Sequence, residues 1–426
     1  MKPVLFTTFL ILAGYFFYLF IRGKQKYSPL WLMFSAWMLG IGIPQLNLSE
    51  IELPWTASYW FLVIVSLASF ATGFYLADIY ISKNKFWEKI RWLHKEYVSE
   101  INLRIVIYLM LAVSAFALYK FRMIAGDFPL LAADTDVFRF EADERVPGLI
   151  NYTAQFARLF IPLSFFLIFH RGFSIRKHWD LIAVSVLGAV SLVLFASRTQ
   201  IFFIDLWVMA LYLFMRKPNL KQALKFYPVF LLISVLVLAA VPFYRNYKSY
   251  GTTDYLAGIT AIDSSNYNII GKALVPIYVG VSFNQQALLH AHEFYLLNPV
   301  QKGLVTLDPF TNILGLDRFQ SNYDLCRIFQ CWWNTGTYLF PFVQDFGDAA
   351  FFFVPALIAA VLTLLWHYWK ATPNFLSINL YAYACFFIVM SVYLSFTVRA
   401  EFYLDIFVLF LTYIFVSSKA LLHSKL

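Results

Sequence analysis

Long runs of apolar residues, separated by short polar stretches, recur along most of the chain. A run of about 20 residues has the length that a helix needs to cross the hydrocarbon core of a membrane. The pattern therefore predicts an all-α polytopic membrane protein, with residues 1–426 forming a single membrane domain. We expect about eleven transmembrane helices, near residues 3–21, 30–46, 56–80, 103–121, 153–170, 180–196, 199–215, 226–243, 348–368, 375–396 and 402–418.

The composition supports this class. Hydrophobic residues make up 61% of the 426 positions and charged residues only 13%, whereas a soluble protein carries about 25% charged residues. The formal net charge of +9 comes mainly from the predicted inner loops, where anionic lipid headgroups attract basic residues. Because no soluble basic domain is present, we expect membrane lipids and not nucleic acid among the partners.

The basic residues of the short connections predict the orientation, because such residues are retained on the inner side of the membrane. Basic connections lie near residues 22–26, 83–104, 170–177 and 216–225 and in the tail. They alternate with more acidic connections that include residues 50–52, 127–144, 197–199 and 397–401. We therefore predict the tail inside and two larger loops outside, a smaller one at 122–152 and a long one at 244–347.

The long outer loop is the only long region that we expect to lie outside the membrane. Its last part, residues 334–347, is too apolar for open solvent and too interrupted by glycine and proline for a spanning helix. A re-entrant or half-helix segment that lines a cavity is expected there. Cys326 and Cys331 lie five residues apart in this loop, so a local disulfide between them stays open.

Arginine is enriched on the predicted outer side, which carries nine arginines against four lysines. Insertion bias does not favour basic residues there. A guanidinium binds a phosphate or a carboxylate through two hydrogen bonds at once, whereas lysine offers a point charge. An anionic ligand and ion pairs with outer carboxylates are both open explanations. The nine are Arg122, Arg139, Arg145, Arg158, Arg198, Arg245, Arg318, Arg327 and Arg399.

Two charged residues, Arg158 and Asp205, fall inside predicted spans. A charge at that depth is costly unless it is paired or lines a cavity. Arg158 is therefore expected to be paired or to line a cavity. Asp205 is expected either to pair with an arginine or to be a buried neutral acid.

Cations, aromatic rings, imidazoles and carboxylates are gathered on the predicted outer side, a mixture typical of a site for an anionic, sugar-bearing substrate. His290, His292 and Glu293 lie in the long loop and are candidates for a general base. Their spacing does not match an i, i+4 zinc pair, so we predict no metal site and no cofactor.

Several outer segments carry a family resemblance. They are Gly126 to Leu131 with Arg139, Ser197 to Thr199 at a helix start, Arg245 at the opening of the long loop, Asn334 to Tyr338, and Asp345 to Gly347. Their order and spacing resemble those of the Wzy-type oligosaccharide repeat unit (O-antigen) polymerases. The number of spans and the single long, late outer loop fit the same family, so the resemblance covers most of the chain.

The resemblance implies a membrane-embedded glycosyltransferase of the GT-C type in a bacterial cytoplasmic (inner) membrane, with its active site facing the periplasm or exterior. Such an enzyme is inverting and metal-independent and uses undecaprenyl-diphosphate-linked glycans. It transfers the growing chain to a new lipid-linked repeat, which builds a surface polysaccharide. A chain-length regulator and a flippase of the same pathway are the implied partners.

The resemblance and the residue chemistry together assign roles. Arg139, Arg198, Arg245 and Arg399 are predicted to bind the diphosphate. The predicted sugar-binding residues are Tyr244, Tyr247, Tyr338, Trp332 and Trp333. The general base is left open among His290, His292, Glu293 and Asp345.

Two alternatives remain. An O-antigen ligase, which transfers glycan to lipid A-core, has a similar build and chemistry. A lipid-linked glycan flippase or other transporter would carry polar residues along the middle of many spans, and few are present here.

If arginines neutralise the diphosphate without a metal ion, chelators should leave polymerisation intact. We expect purified protein and lipid-linked repeat units to give the same glycan ladder with and without EDTA. A strict requirement for a divalent cation would contradict the arginine-only account.

Overall fold

The computed structural model describes residues 2–84, 98–172, 176–196, 198–218, 220–252, 254–313, 328–330, 333 and 335–417. Within these residues the chain is helical and contains no β-strand, only an isolated antiparallel bridge between Ser49 and Ile262. The prediction of an all-α chain is confirmed for this part. Cys326, Cys331, Arg318 and Arg327 lie outside the described residues.

The helices follow the apolar runs of the sequence. The first group is α1 (Lys2–Arg22), α2 (Pro29–Gly42), α3 (Ala57–Asn84), α4 (Glu100–Ala125), α5 (Thr135–Arg145), α6 (Gly148–Ala154), α7 (Ala157–Arg171), α8 (Trp179–Leu194) and α9 (Arg198–Arg216). The second group is α10 (Leu220–Tyr250), α11 (Tyr255–Ile259), α12 (Ile269–Leu297), α13 (Leu304–Ile313), α14 (Phe340–Phe346), α15 (Ala350–Ala371), α16 (Phe375–Met390) and α17 (Ala400–Ser417).

In the described part of the chain, eight helices are long and apolar enough to cross a membrane. They are Pro3–Arg22, Pro29–Leu46, Ala57–Asn84, Glu100–Ala125, Gly148–Arg171, Thr199–Arg216, Phe340–Ala371 and Ala400–Ser417. Two shorter apolar helices, α8 and α16, account for two more predicted spans, and the span expected at 226–243 lies within α10. The chain thus has the character of a multi-pass membrane protein, and the total of eleven spans stays a prediction.

Many large apolar side chains lie on the outside of the bundle, as contact with lipid tails requires. Helix α3 packs along α15, and Gly73 lies directly against the backbone of Ala356. A Cβ atom at position 73 would overlap that backbone. Small residues allow such close approach where helices cannot rely on the hydrophobic effect.

The predicted outer loop, residues 244–347, contains several helices within the part that the structure describes. Its helix α12 is 29 residues long and buries a run of polar side chains that includes Ser282, Gln285 and Gln286. The Gln286 side chain exchanges two hydrogen bonds with the backbone of Leu53, at 3.1 and 2.9 Å. Tyr59 donates its hydroxyl hydrogen to Gln285 Oε1 at 3.1 Å. These bonds fix α12 against the connection between α2 and α3 and against the first turn of α3.

Arg158, expected to be paired or to line a cavity, is paired. Arg158 is 2% exposed, and its Nε and Nη2 atoms donate to Asp405 Oδ1 at 3.2 and 3.0 Å. Tyr152 and Tyr383 donate their hydroxyl hydrogens to the same carboxylate at 3.0 and 3.2 Å. The Arg158 guanidinium also lies 4.6 Å from the centre of the Tyr152 ring. One buried ion pair therefore joins α6 and α7 to α16 and α17.

Removing one side of this pair leaves a buried charge without compensation, which costs about 3–5 kcal/mol in proteins. We expect Asp405→Leu to lower the thermal midpoint of the protein in detergent strongly, and Arg158→Met with Asp405→Leu to recover part of the loss. Glu141→Gln is the matched control, because it breaks the exposed Arg145–Glu141 pair of 2.8 Å, which is worth about 0–1 kcal/mol. A double variant less stable than Asp405→Leu alone would contradict a compensated pair.

The predicted orientation is tested at exposed positions of a cysteine-free background. Leu297 is 90% exposed and Glu144 is also exposed, and both lie on the predicted outer side. Lys24 and Lys177 are exposed on the predicted inner side. An impermeant thiol reagent should label Leu297→Cys and Glu144→Cys in intact cells and leave Lys24→Cys and Lys177→Cys unlabelled. The reverse pattern would invert the orientation.

Candidate functional site

A cavity of about 500 Å³ opens among helix ends that the predicted topology places on the outer side. The starts of α7, α9 and α17 and the ends of α10 and α16 meet there, together with α5, α11 and the middle of α12. Its polar lining consists of Arg139, Arg158, Thr199, Gln200, Arg245, Asn246, Tyr250, Tyr255, Trp333, Thr335, Tyr383, Tyr393, Arg399, Glu401 and Asp405.

Four arginines from distant parts of the chain face this one cavity: Arg139 from α5, Arg158 from α7, Arg245 from α10 and Arg399 just before α17. Arg139 and Arg245 are half-buried, and Arg399 is exposed. The structure thus brings together three of the four arginines predicted to bind a diphosphate. The side chain of Arg198, the fourth, lies outside the described atoms, but its neighbours Thr199 and Gln200 line the cavity.

The segment that carries Arg139 is held in place by bonds to neighbouring helix ends. Gly126 ends α4 with a φ of 94°, a left-handed conformation that glycine adopts without strain. Lys248 Nζ donates to the Leu130 carbonyl oxygen at 2.6 Å, and Thr135 N–H donates to Ser249 Oγ at 3.1 Å. These contacts tie the segment before α5 to the end of α10.

The charge of the lining is predominantly positive, with four arginines against the carboxylates Glu401 and Asp405. Asp405 is bound to Arg158 at the buried end of the cavity, so that pair contributes little net charge. Of the two described lining carboxylates, Glu401 then remains beside Arg139, Arg245 and Arg399. The amino-terminal ends of α7, α9 and α17 add the positive ends of three helix dipoles. The cavity is therefore suited to an anion.

Aromatic rings form a second part of the lining. The rings of Tyr250 and Tyr255 stack with their centres 3.4 Å apart. Trp333 is 9% exposed, and its indole N–H donates to Asn284 Oδ1 at 3.2 Å. Tyr383 and Tyr393 complete the aromatic wall. Flat rings of this kind suit the apolar faces of sugars, and their polar atoms suit hydroxyl groups.

The residues predicted to bind sugar are dispersed in the structure. Trp333 lines the cavity, whereas Tyr244 and Tyr247 are exposed on α10 and do not line it. Tyr338 is fully buried, with its ring 5.6 Å from that of Trp37. Trp332 lies outside the described residues.

None of the four candidates for a general base lines this cavity. His292 is 3% exposed, and its Nδ1 atom lies 2.6 Å from Asp348 Oδ1. His290 packs on the Phe329 ring at 5.0 Å, and burial lowers the pKa of its imidazole. Glu293 is half-buried nearby on α12.

Asp345, the fourth candidate, has a structural task. It is fully buried, and its two carboxylate oxygens accept the N–H groups of Val305 at 3.1 Å and Thr306 at 2.8 Å. These are free donors of the first turn of α13, which a carboxylate satisfies as a helix cap does. Asp345 therefore holds α13 against α14.

Sequence reasoning assigned no sugar-binding role to Tyr250, Tyr255, Tyr383 or Tyr393, and it gave Glu401 no role. Glu401 follows Arg399 by two residues in a short outer turn, which was the available signal. The tyrosines carried no such signal, because their convergence depends on how α10, α11 and α16 pack.

Across the described residues no group of three or more histidine, cysteine, aspartate or glutamate side chains is placed to hold a metal ion. Comparisons of the chain with protein-family models, curated proteins and solved structures find no match.

Proposed function

We propose that this protein is a membrane glycosyltransferase that polymerises undecaprenyl-diphosphate-linked oligosaccharide repeats at the outer face of a bacterial inner membrane. The observation that carries the proposal is the convergence of Arg139, Arg245 and Arg399 on one cavity that also holds stacked tyrosines and Trp333. Cations suit a diphosphate, and aromatic rings suit the sugars attached to it.

The chemistry asks for few functional groups. A glycosyl diphosphate is an activated donor, so the enzyme must stabilise the departing diphosphate and orient an acceptor hydroxyl. Arginines at fixed positions around the cavity perform the first task, since their hydrogen bonds strengthen as the leaving group gains negative charge. The aromatic wall performs part of the second by fixing sugar rings.

The size of the cavity fits a local reaction centre. A volume of about 500 Å³ lies within the range of about 300–1,000 Å³ typical of small-molecule sites. It accommodates a diphosphate and the sugars next to the bond that breaks. The remainder of each glycan then extends outward, and each lipid extends toward the membrane. This arrangement favours a GT-C-like transferase over a carrier that moves a whole glycan through the bundle.

The central test replaces Arg139, Arg198, Arg245 and Arg399 one at a time. Loss of one preorganised electrostatic contact to a transition state costs about 10²–10³ in rate. We expect each alanine variant to lose polymerisation by a factor of that order, measured as glycan ladders from purified protein and lipid-linked repeats. Lysine variants should fail nearly as badly where the contact is bidentate.

Arg145→Ala is the matched control, because Arg145 lies on the same helix as Arg139, is exposed and does not line the cavity. Membrane abundance and thermal midpoint are measured for every variant. Abundant, stable variants that give normal ladders at all four positions would end the diphosphate hypothesis. Transfer only to lipid A-core, with no ladder, would instead identify a ligase.

A further inference from the structure

The two carboxylates of the cavity have opposite surroundings. Asp405 is 3% exposed and accepts hydrogen bonds from Arg158, Tyr152 and Tyr383. Glu401 lies four residues earlier on the same face of α17 and is exposed. Its side chain forms no hydrogen bond or ion pair with any residue that the structure describes. Glu401 is thus a carboxylate at the cavity with its oxygen atoms available.

Glu401 lies close to arginines of the same cavity. Arg399 precedes it by two residues, and Arg139 faces the same cavity from α5. Neither arginine forms an ion pair with Glu401 among the described side chains. A carboxylate that served only to hold these arginines would be bonded to them. The remaining task for a carboxylate beside a diphosphate site is to handle the proton of the acceptor.

Resting on the glycosyltransferase function proposed above, we infer that Glu401 is the general base that receives the proton of the acceptor hydroxyl. The acceptor oxygen forms a bond to the anomeric carbon as its O–H bond breaks and the proton passes to a Glu401 oxygen. The bond between the anomeric carbon and the diphosphate oxygen breaks at the same time. Its electron pair leaves with the diphosphate, whose charge the arginines stabilise. Glu401 then returns the proton to solvent.

The other groups at the cavity are less suited to this task. The charged ones are Arg139, Arg158, Arg245, Arg399 and Asp405. Arginines remain protonated and cannot accept a proton, and the lone pairs of Asp405 are engaged by three donors. The lining tyrosines present phenolic hydroxyl groups, which carry a hydrogen to donate. Among the described residues, Glu401 is the group at this cavity that is both basic and accessible.

The test compares Glu401→Gln and Glu401→Asp with the wild type in purified, membrane-reconstituted protein. General base catalysis contributes about 10²–10⁴ in rate, so Glu401→Gln should lose turnover by a factor in that range. Glu401→Asp keeps the carboxylate and should retain intermediate activity. Inorganic diphosphate should raise the thermal midpoint of Glu401→Gln as it does that of the wild type. Glu50→Gln, an exposed carboxylate outside the cavity, is the control and should keep full activity.

A pH profile separates a base from a structural residue. Turnover of the wild type should fall as the medium is acidified, because a protonated carboxylate cannot accept the acceptor proton. Glu401→Gln should lack that fall. If Glu401→Gln is unstable, the pH–rate profile of Glu401→Asp is the test. Its acidic limb should be shifted relative to that of the wild type. An unchanged acidic limb would show that Glu401 takes no part in the proton transfer.

Failure of this inference and failure of the proposed function give different results. The role of Glu401 alone is overturned if the wild type polymerises and folded Glu401→Gln has a rate within about threefold of the wild-type rate and the same acidic limb of the pH–rate profile. General base catalysis contributes about 10²–10⁴ in rate, so its loss would be far larger than threefold. A wild type that neither responds to inorganic diphosphate nor yields polymer overturns the glycosyltransferase function itself.

Discussion

The buried pair between Arg158 and Asp405 is the contact on which the arrangement of the candidate site depends. A charge taken into a membrane domain is costly, and only close, hydrogen-bonded compensation makes it tolerable. Here the compensation comes from separate helices: Arg158 begins α7, Asp405 lies in α17, and Tyr383 joins them from α16. The hydrogen bonds that the Asp405 carboxylate requires therefore fix α7, α16 and α17 relative to one another. The floor of the cavity is the place where those helices meet.

Polar contacts between loops and helix ends hold the segments around the opening of the cavity. Lys248 holds the segment before α5, while Lys272 pairs with Asp254 at 2.6 Å next to α11. These are ordinary surface-type bonds, and each contributes little to stability. Their effect is geometric, because they hold the segment before α5, the helix of Arg139, and the residue before α11, the helix of Tyr255. Electrostatic stabilisation of a transition state depends on donors that need no rearrangement at the moment of reaction.

Features that follow from solvation can be predicted from the sequence, whereas features that follow from packing cannot. Apolar runs marked the helices, and the cost of a charge at that depth indicated that Arg158 is paired or lines a cavity. The structure shows both. Arg139, Arg245 and Arg399, which were predicted to bind one ligand, line one cavity, and their role there stays a prediction. Asp345 and Tyr338 show the limit: both stand in polar, motif-like segments, yet both are fully buried and serve the fold. Nothing in a local pattern tells a capping carboxylate from a catalytic one.

The spacing of Glu401 and Asp405 explains how one helix can carry both kinds of carboxylate. Four residues place the two side chains on one face, about one helical turn apart in depth. The deeper one is withdrawn from water and therefore needs fixed donors, which remove its lone pairs from any reaction. The shallower one, Glu401, is exposed to solvent and therefore needs no fixed donors from the protein. Burial thus separates a fully bonded carboxylate from an accessible one within a single turn of α17, beside arginines that favour negative charge in the same space.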